Sequence, residues 1–236
     1  MLKPIVKAVL HYLCSINMTF MQCGTMLGGR NFHKLIEDEL IKFSKKLALD
    51  YDQNGIHVFE ITRCSRLSYF ERMDAFEDEF SHALSKLLQG SLRKALNGIT
   101  REYKVDELTI YATVDLVIDN DIVINFIPVS KLPEFPHPND LLYTNASMFV
   151  FETRGGFIVY FTPEGKFVEF SVSPSKRMFE QVVRRARILH LLLKDKKTPV
   201  VEPSELCISC KYFQRCFGQQ NESEHILDVF GIGKKN

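Results

Sequence analysis

Residues 207–216 read CISCKYFQRC, which puts Cys207, Cys210 and Cys216 within ten positions. Thiolates at such spacing hold tetrahedral zinc or an iron–sulfur cluster, and either group takes a fourth thiolate. Three other cysteines compete for that place. Cys14 and Cys23 stand among apolar residues, where a buried inert thiol is the ordinary outcome. Cys64 stands in TRCSRLSYFER, flanked by Arg63, Arg66 and Arg72. Neighbouring cations favour the thiolate form that binds metal. The same arginines have two further uses, contact with phosphates or pairing with Glu60 and Glu71. Six cysteines in 236 residues, three of them crowded together, point to metal chemistry in a reducing compartment, read here as the cytoplasm. Spacing alone does not separate zinc from iron and sulfur.

A second set of chemically capable residues lies on the segment 175–195. Ser173 or Ser175 caps its start, Pro199 follows its end, and the periodicity predicts a helix. Arg177, Arg184 and Arg187 can share one broad face and bind phosphates, or simply form a solvated surface. The whole chain gives no support to either choice, since 30 basic residues face 29 acidic ones and the formal charge is +1. Hydrophobic residues at 45% and charged residues at 25% fit a globular domain, and 19 phenylalanines with no tryptophan predict a phenylalanine-rich core. The N-terminal run MLKPIVKAVLHYLCSINMTFMQCG is too often interrupted by polar residues to cross a membrane, which takes about 18 apolar residues, and reads as an amphipathic or buried helix.

The elements that must position these residues follow from pattern. Leu35, Ile36, Leu40, Phe43 and Leu47 recur at helical spacing within 31–49. DQNG at 52–55 is a turn, and residues 74–97 form one or two helices with Gly90 as weak point and Asn97-Gly98 as stop. Strands are expected at 103–111, 113–118 and 121–127, with a turn at Asp119-Asn120. Four prolines make 128–140 a loop, and 141–151 is a mixed segment. GFIVYFTPEGKFVEFSV is a hairpin turning at Pro163, Glu164 and Gly165. The domain reading is an N-terminal arm over 1–55, a main domain over 56–218 and a tail over 219–236.

HVFEITRCSRLSYFER, GFIVYFTPEGKFVEFSV and CISCKYFQRC together resemble the CRISPR-associated RecB-like exonucleases, over residues 56 to 218. The resemblance implies a restriction-endonuclease-like (PD-(D/E)XK) α/β core with a mixed sheet and a four-cysteine cluster subdomain. It implies a four-iron, four-sulfur cluster on Cys64, Cys207, Cys210 and Cys216, with zinc the alternative. It further implies single-stranded DNA as ligand, spacer acquisition as setting and CRISPR integration proteins as partners.

That family cuts DNA with a Gly-x-x-x-His helix, an aspartate, a Glu-x-Lys strand and a Gln-x-x-x-Tyr helix. Its carboxylates and histidine hold Mg2+ or Mn2+, and the lysine supports developing charge. Placed on this pattern, Asp115 falls on the metal aspartate. Asn125 stands at the glutamate position, Ile127 at the lysine position, and Lys94 at the histidine position after Gly90. His82 is an alternative histidine without the glycine, and Tyr143 and Ser147 lie near the missing Gln-x-x-x-Tyr. An amide is a weak ligand for a hard cation, isoleucine supplies no hydrogen bond, and lysine repels a metal. The expectation is therefore a nuclease-impaired DNA-binding or complex-forming protein. The alternatives are an active Mg2+- or Mn2+-dependent exonuclease using Asp119, Asp121, Glu134, Asp140 or Lys131, and a cluster-stapled partner protein that never meets DNA.

Overall fold

A computed structural model describes residues 32–46, 53–73 and 80–218. The predicted N-terminal helix, Cys14, Cys23, Leu47 and the tail from 219 lie outside the described residues. Helix α1 (Phe32–Lys46) forms as its periodicity predicts and lies against α4 (Phe80–Ala95). Its apolar residues Leu35, Ile36 and Phe43 are nevertheless exposed.

The short strand β1 (Ile56–His57) leads directly into α2 (Val58–Thr62) and α3 (Ser65–Met73). A capping box fixes this entry. The His57 side chain accepts from Phe59 N, and Glu60 Oε2 accepts from His57 N at 2.7 Å. Arg72 then reaches back from α3 and clasps both oxygens of buried Glu60, at 2.6 and 2.7 Å. The turn between α2 and α3 that carries Cys64 is thereby held from both sides.

Helix α4 runs unbroken through Gly90 and stops at Asn97, which adopts φ 56°. The glycine penalty of about 1 kcal/mol is too small to end a packed helix. Strands β2 (Ile99–Val105) and β3 (Leu108–Val114) form a hairpin, turning at Asp106 with φ 54°. This corrects the strand expected at 103–111, which runs straight across that turn. Aspartate tolerates the left-handed region, so the turn needs no glycine. Strands β4 (Leu116–Ile118) and β5 (Ile122–Pro128) turn at Asp119 and Asn120, both at positive φ, as the sequence predicts.

Residues 138–151 form helix α5 (Pro138–Phe151) rather than a loop end and a mixed segment. Pro138 sits in the first turn, where its missing N–H is not needed. Strands β6 (Gly155–Phe161) and β7 (Phe167–Val172) form the expected hairpin, with Gly165 at φ 82° in its turn. Helix α6 (Lys176–Lys194) is capped by Ser175, and a single 3-10 turn (Glu205–Cys207) and α7 (Phe213–Phe217) carry the cysteine segment.

Among the described residues the strands make two mixed sheets, in the orders β1-β3-β2 and β4-β5-β6-β7. The pairs β1–β3 and β5–β6 are parallel and the others antiparallel. The chain passes from one sheet to the other at Asp115. Helices α5 and α6 pack against each other and contribute buried Met148, Phe151, Phe179, Val182 and Ala186 to the core. Isoleucine, valine and tyrosine fill much of the remainder, while Phe135 and Phe167 are exposed, so the core is less phenylalanine-rich than expected. No helix among the described residues is long and apolar enough to cross a membrane.

Candidate functional site

Asp115 interrupts the strand run between β3 and β4, and its side chain is buried at 1% exposure. Its backbone N–H still donates to Ile124 O, which keeps β3 in line with β5. Both carboxylate oxygens are taken. Oδ1 accepts from Arg93 Nε at 2.7 Å, and Oδ2 accepts from Phe126 N at 2.8 Å. Helix α4 presents Arg93 together with Gln89, one turn earlier, whose amide donates to Phe126 O. Gly98 makes the approach possible: a β-carbon there would lie 2.4 Å from Arg93 Cγ and 2.8 Å from Val114 O. Lys94, the residue at motif spacing from Gly90, is exposed. The side chain of His82 lies outside the described residues.

Asn125 is buried on β5 and donates from Nδ2 to Thr144 Oγ1 on α5 at 3.0 Å. Ile127 is half-buried and packs on the hydrophobic core. Tyr143 on α5 donates to Thr113 O, and burial raises its pKa. Asn139 stands one turn before Tyr143, so the helix carries an amide four residues ahead of a tyrosine, with Asn in place of Gln.

His57 completes the surroundings and was not singled out from sequence. Its Nδ1 accepts from Phe59 N, so the ring proton sits on Nε2 and is donated to Thr113 Oγ1 at 2.9 Å. Thr113 Oγ1 in turn lies 2.8 Å from Thr100 Oγ1. Burial, reinforced by Arg93, Arg63 and Arg72, drives the His57 pKa down to about 3. The imidazole is therefore neutral and structural. Its only sequence signal was the capping spacing to Glu60.

The carboxylates proposed as substitutes are otherwise engaged or exposed. Asp121 pairs with Arg154 at 3.2 Å, Asp140 Oδ2 accepts from Tyr160 at 2.6 Å, and Glu134 and Lys131 are exposed. Among the described residues no group of three or more His, Cys, Asp or Glu side chains is drawn together at metal-ligand spacing, thiols included.

The fold nevertheless gathers the four cysteines of interest in one neighbourhood. Cys64, Cys207 and Cys210 line a single cavity of about 630 Å3 beside Arg63, Lys86 and Arg185. Cys216 lies within electrostatic reach of Cys210 and Cys64, and burial raises its thiol pKa. All four are unbridged and partly buried. Cys207 Sγ accepts from Ser204 N at 3.4 Å. The donor set is all sulfur and flanked by cations, the chemistry that thiolate-bound metal groups use, but the thiols stand apart rather than at metal-ligand spacing. Glu71 accepts from both Arg63 and Lys211; burial opposes its ionisation, but these two cations outweigh it and lower its pKa. Of the two uses considered for Arg63 and Arg72, the structure shows pairing with Glu71 and Glu60. Tyr69, Phe70 and Tyr212 are buried, with the Phe70 ring packed on both tyrosines.

On α6, Arg177 and Arg184 are exposed. Arg187 turns to the β2–β3 hairpin and pairs with Asp106 at 2.6 Å. Exposed Ile188 and Leu191 follow on the same helix. Arg185 donates to Arg63 O at 2.8 Å and ties α6 to the Cys64 turn.

No protein-family model matches the chain, and no curated protein matches it. Solved structures do. The chain is similar to SSO0001 at 20% identity, covering 77% of this chain and 96% of that one with a TM-score of 0.59. It is also similar to an alkaline exonuclease, LHK-Exo, from Laribacter hongkongensis, at 7% identity, 67% and 93% coverage and a TM-score of 0.42. The complex of LHK-Exo with dAMP matches at 8% identity, 77% and 98% coverage and a TM-score of 0.41. The likeness to SSO0001 shows a shared mixed α/β fold with mixed sheets.

Proposed function

We propose that this chain is a nuclease-like protein whose catalytic metal centre has been replaced by an internal ion pair, and that it serves as a DNA-binding or complex-forming subunit. One observation carries the reading. The Arg93 guanidinium supplies positive charge at Asp115 Oδ1, where a nuclease of this type would hold a divalent cation, and Phe126 N occupies the other oxygen. The remaining motif positions, Asn125 and Ile127, bring no second charge to that point.

In the same reading Cys64, Cys207, Cys210 and Cys216 hold a four-iron, four-sulfur cluster, with zinc as the alternative. When bound, such a group supplies a rigid cross-link or an electron-transfer centre. The protein's own part is to bring Cys64 to the C-terminal thiols and to surround them with Arg63, Arg66, Lys211 and Arg215. The resemblance of the cysteine frame to the CRISPR-associated RecB-like exonucleases supports spacer acquisition as the setting. Exposed Arg177 and Arg184 support contact with DNA phosphates. Exposed Ile188 and Leu191 on the same helix favour a second use, a protein partner of the same complex.

The test is metal analysis of anaerobically purified protein. Brown protein containing iron and acid-labile sulfide, bleached by Cys64→Ser, is the expected result. Colourless protein with one zinc keeps the four ligands and rejects iron. Protein that holds neither metal rejects the cysteine site.

A further inference from the structure

The cysteine segment at the end of the described chain has little backbone attachment to the rest of the fold. Among the described residues, every backbone-to-backbone hydrogen bond made by 204–218 outside regular elements stays within that segment. Something else must bring Cys207, Cys210 and Cys216 to Cys64. Side chains from α3 do so, and one of them spans the segment. Arg66 stands two residues after Cys64. Its Nε donates to Pro199 O at 2.9 Å, and its Nη1 donates to Cys216 O at 3.4 Å. Those two carbonyls bracket the stretch that holds Cys207 and Cys210.

The guanidinium is itself held in place. It lies 5.9 Å from the centre of the buried Phe70 ring, which also carries Arg215 at 3.9 Å and packs on Tyr212 at 5.1 Å. A planar fork can serve two diverging carbonyls at once, whereas the compact ammonium of lysine on a flexible stem is not preorganised to do so.

We propose that Arg66 is a positioning residue that docks the cysteine segment alongside Cys64 before any metal arrives, by fastening both ends of that segment to the helix that begins just after Cys64. This rests on the reading of the four cysteines as one metal site, but the docking itself does not require metal. The cavity at Cys64, Cys207 and Cys210 then remains as the entry route, with Cys216 behind the Arg66 contact.

The experiment uses the full chain with Cys14→Ser and Cys23→Ser, stripped of metal by chelation under reducing conditions. A short thiol-to-thiol cross-linker is added, and cross-links from Cys64 to Cys207, Cys210 or Cys216 are counted by mass spectrometry. The expected result is efficient cross-linking in this protein and a loss of about tenfold with Arg66→Lys, matching removal of two carbonyl bonds. Arg215→Ala, which removes the neighbouring cation from the Phe70 ring and leaves both Arg66 bonds in place, serves as the control and should keep the cross-link. In metal-loaded protein Arg66→Lys should release metal to a chelator faster at an unchanged urea midpoint, which separates positioning from general stability. Arg66→Lys that cross-links as well as the parent overturns the proposal, as does a metal-free parent that does not cross-link at all. Failure of the metal reading shows separately, as absence of iron and zinc from protein that still cross-links.

Discussion

Replacing Arg93 by alanine tests the internal ion pair by stranding its partner. Asp115 is 1% exposed and the Arg93 side chain 18% exposed, so the pair is buried on one side and grazes solvent on the other. Removing one member of a buried pair costs about 3–5 kcal/mol, because the remaining charge stays desolvated. Residual access of solvent from the Arg93 side places the expected loss at the low end, about 3 kcal/mol. Phe126 N still donates to Oδ2 and keeps the strand register, so local rather than global rearrangement is expected. The double variant Arg93→Ala with Asp115→Asn removes the stranded charge while retaining an oxygen for Phe126 N, and should recover more than about 1 kcal/mol of that loss. Urea unfolding gives both numbers, provided the slope with denaturant is unchanged. Wild-type stability should also ignore added Mn2+, since both Asp115 oxygens are already occupied. An Arg93→Ala protein within about 0.5 kcal/mol of wild type, with no gain in the double variant, would refute the reasoning.

Two further outcomes follow from particular residues. The His57 pKa is lowered in the folded protein, from an ordinary 6.5 to about 3, so the unfolded chain binds the extra proton between those values. Stability is then full above pH 6.5 and falls with acidification toward pH 3, by up to about 1.4 kcal/mol per pH unit, and His57→Gln should flatten that slope in urea titrations at successive pH values. On α6, Arg184→Ala should weaken DNA binding across sequences and reduce the salt slope by about one, while Arg187→Ala, already paired with Asp106, should change it less in the same fluorescence titration. Unchanged DNA affinity in the Arg184 variant would favour a protein partner for that helix.

The clearest sequence signals were those with one simple period. The β6–β7 hairpin alternates over seven and six residues, and α6 announces itself by Ser175 and an apolar stripe. Helix α5 was hidden because it buries Thr144, Asn145 and Ser147 alongside Ala146 and Met148. Polar residues satisfied inside the protein, such as Thr144 on Asn125, erase the apolar period that a reader follows. The turn at Asp106 was hidden because a single aspartate at positive φ is enough to make it. At the site, counting from Gly90 led to Lys94, but the face that meets β5 is the one shared by Gln89 and Arg93. A helix presents residues by angle, and a one-residue offset turns a side chain about 100° away. The company of Cys64 with the C-terminal thiols was inferred from the basic setting and the family likeness. The choice between zinc and an iron–sulfur cluster in the proposed site lies in coordination chemistry that spacing does not encode.

The central claim, that Asp115 has exchanged a metal for Arg93, is tested most directly by a cleavage assay. Purified protein is incubated with end-labelled single- and double-stranded DNA and excess Mg2+ or Mn2+, and products are resolved over time. The expected result is no degradation above that of the Asp115→Ala variant with either ion. Processive loss of DNA by the unaltered protein, abolished by Asp115→Ala, would contradict the account and place a working metal centre where the structure has an ion pair.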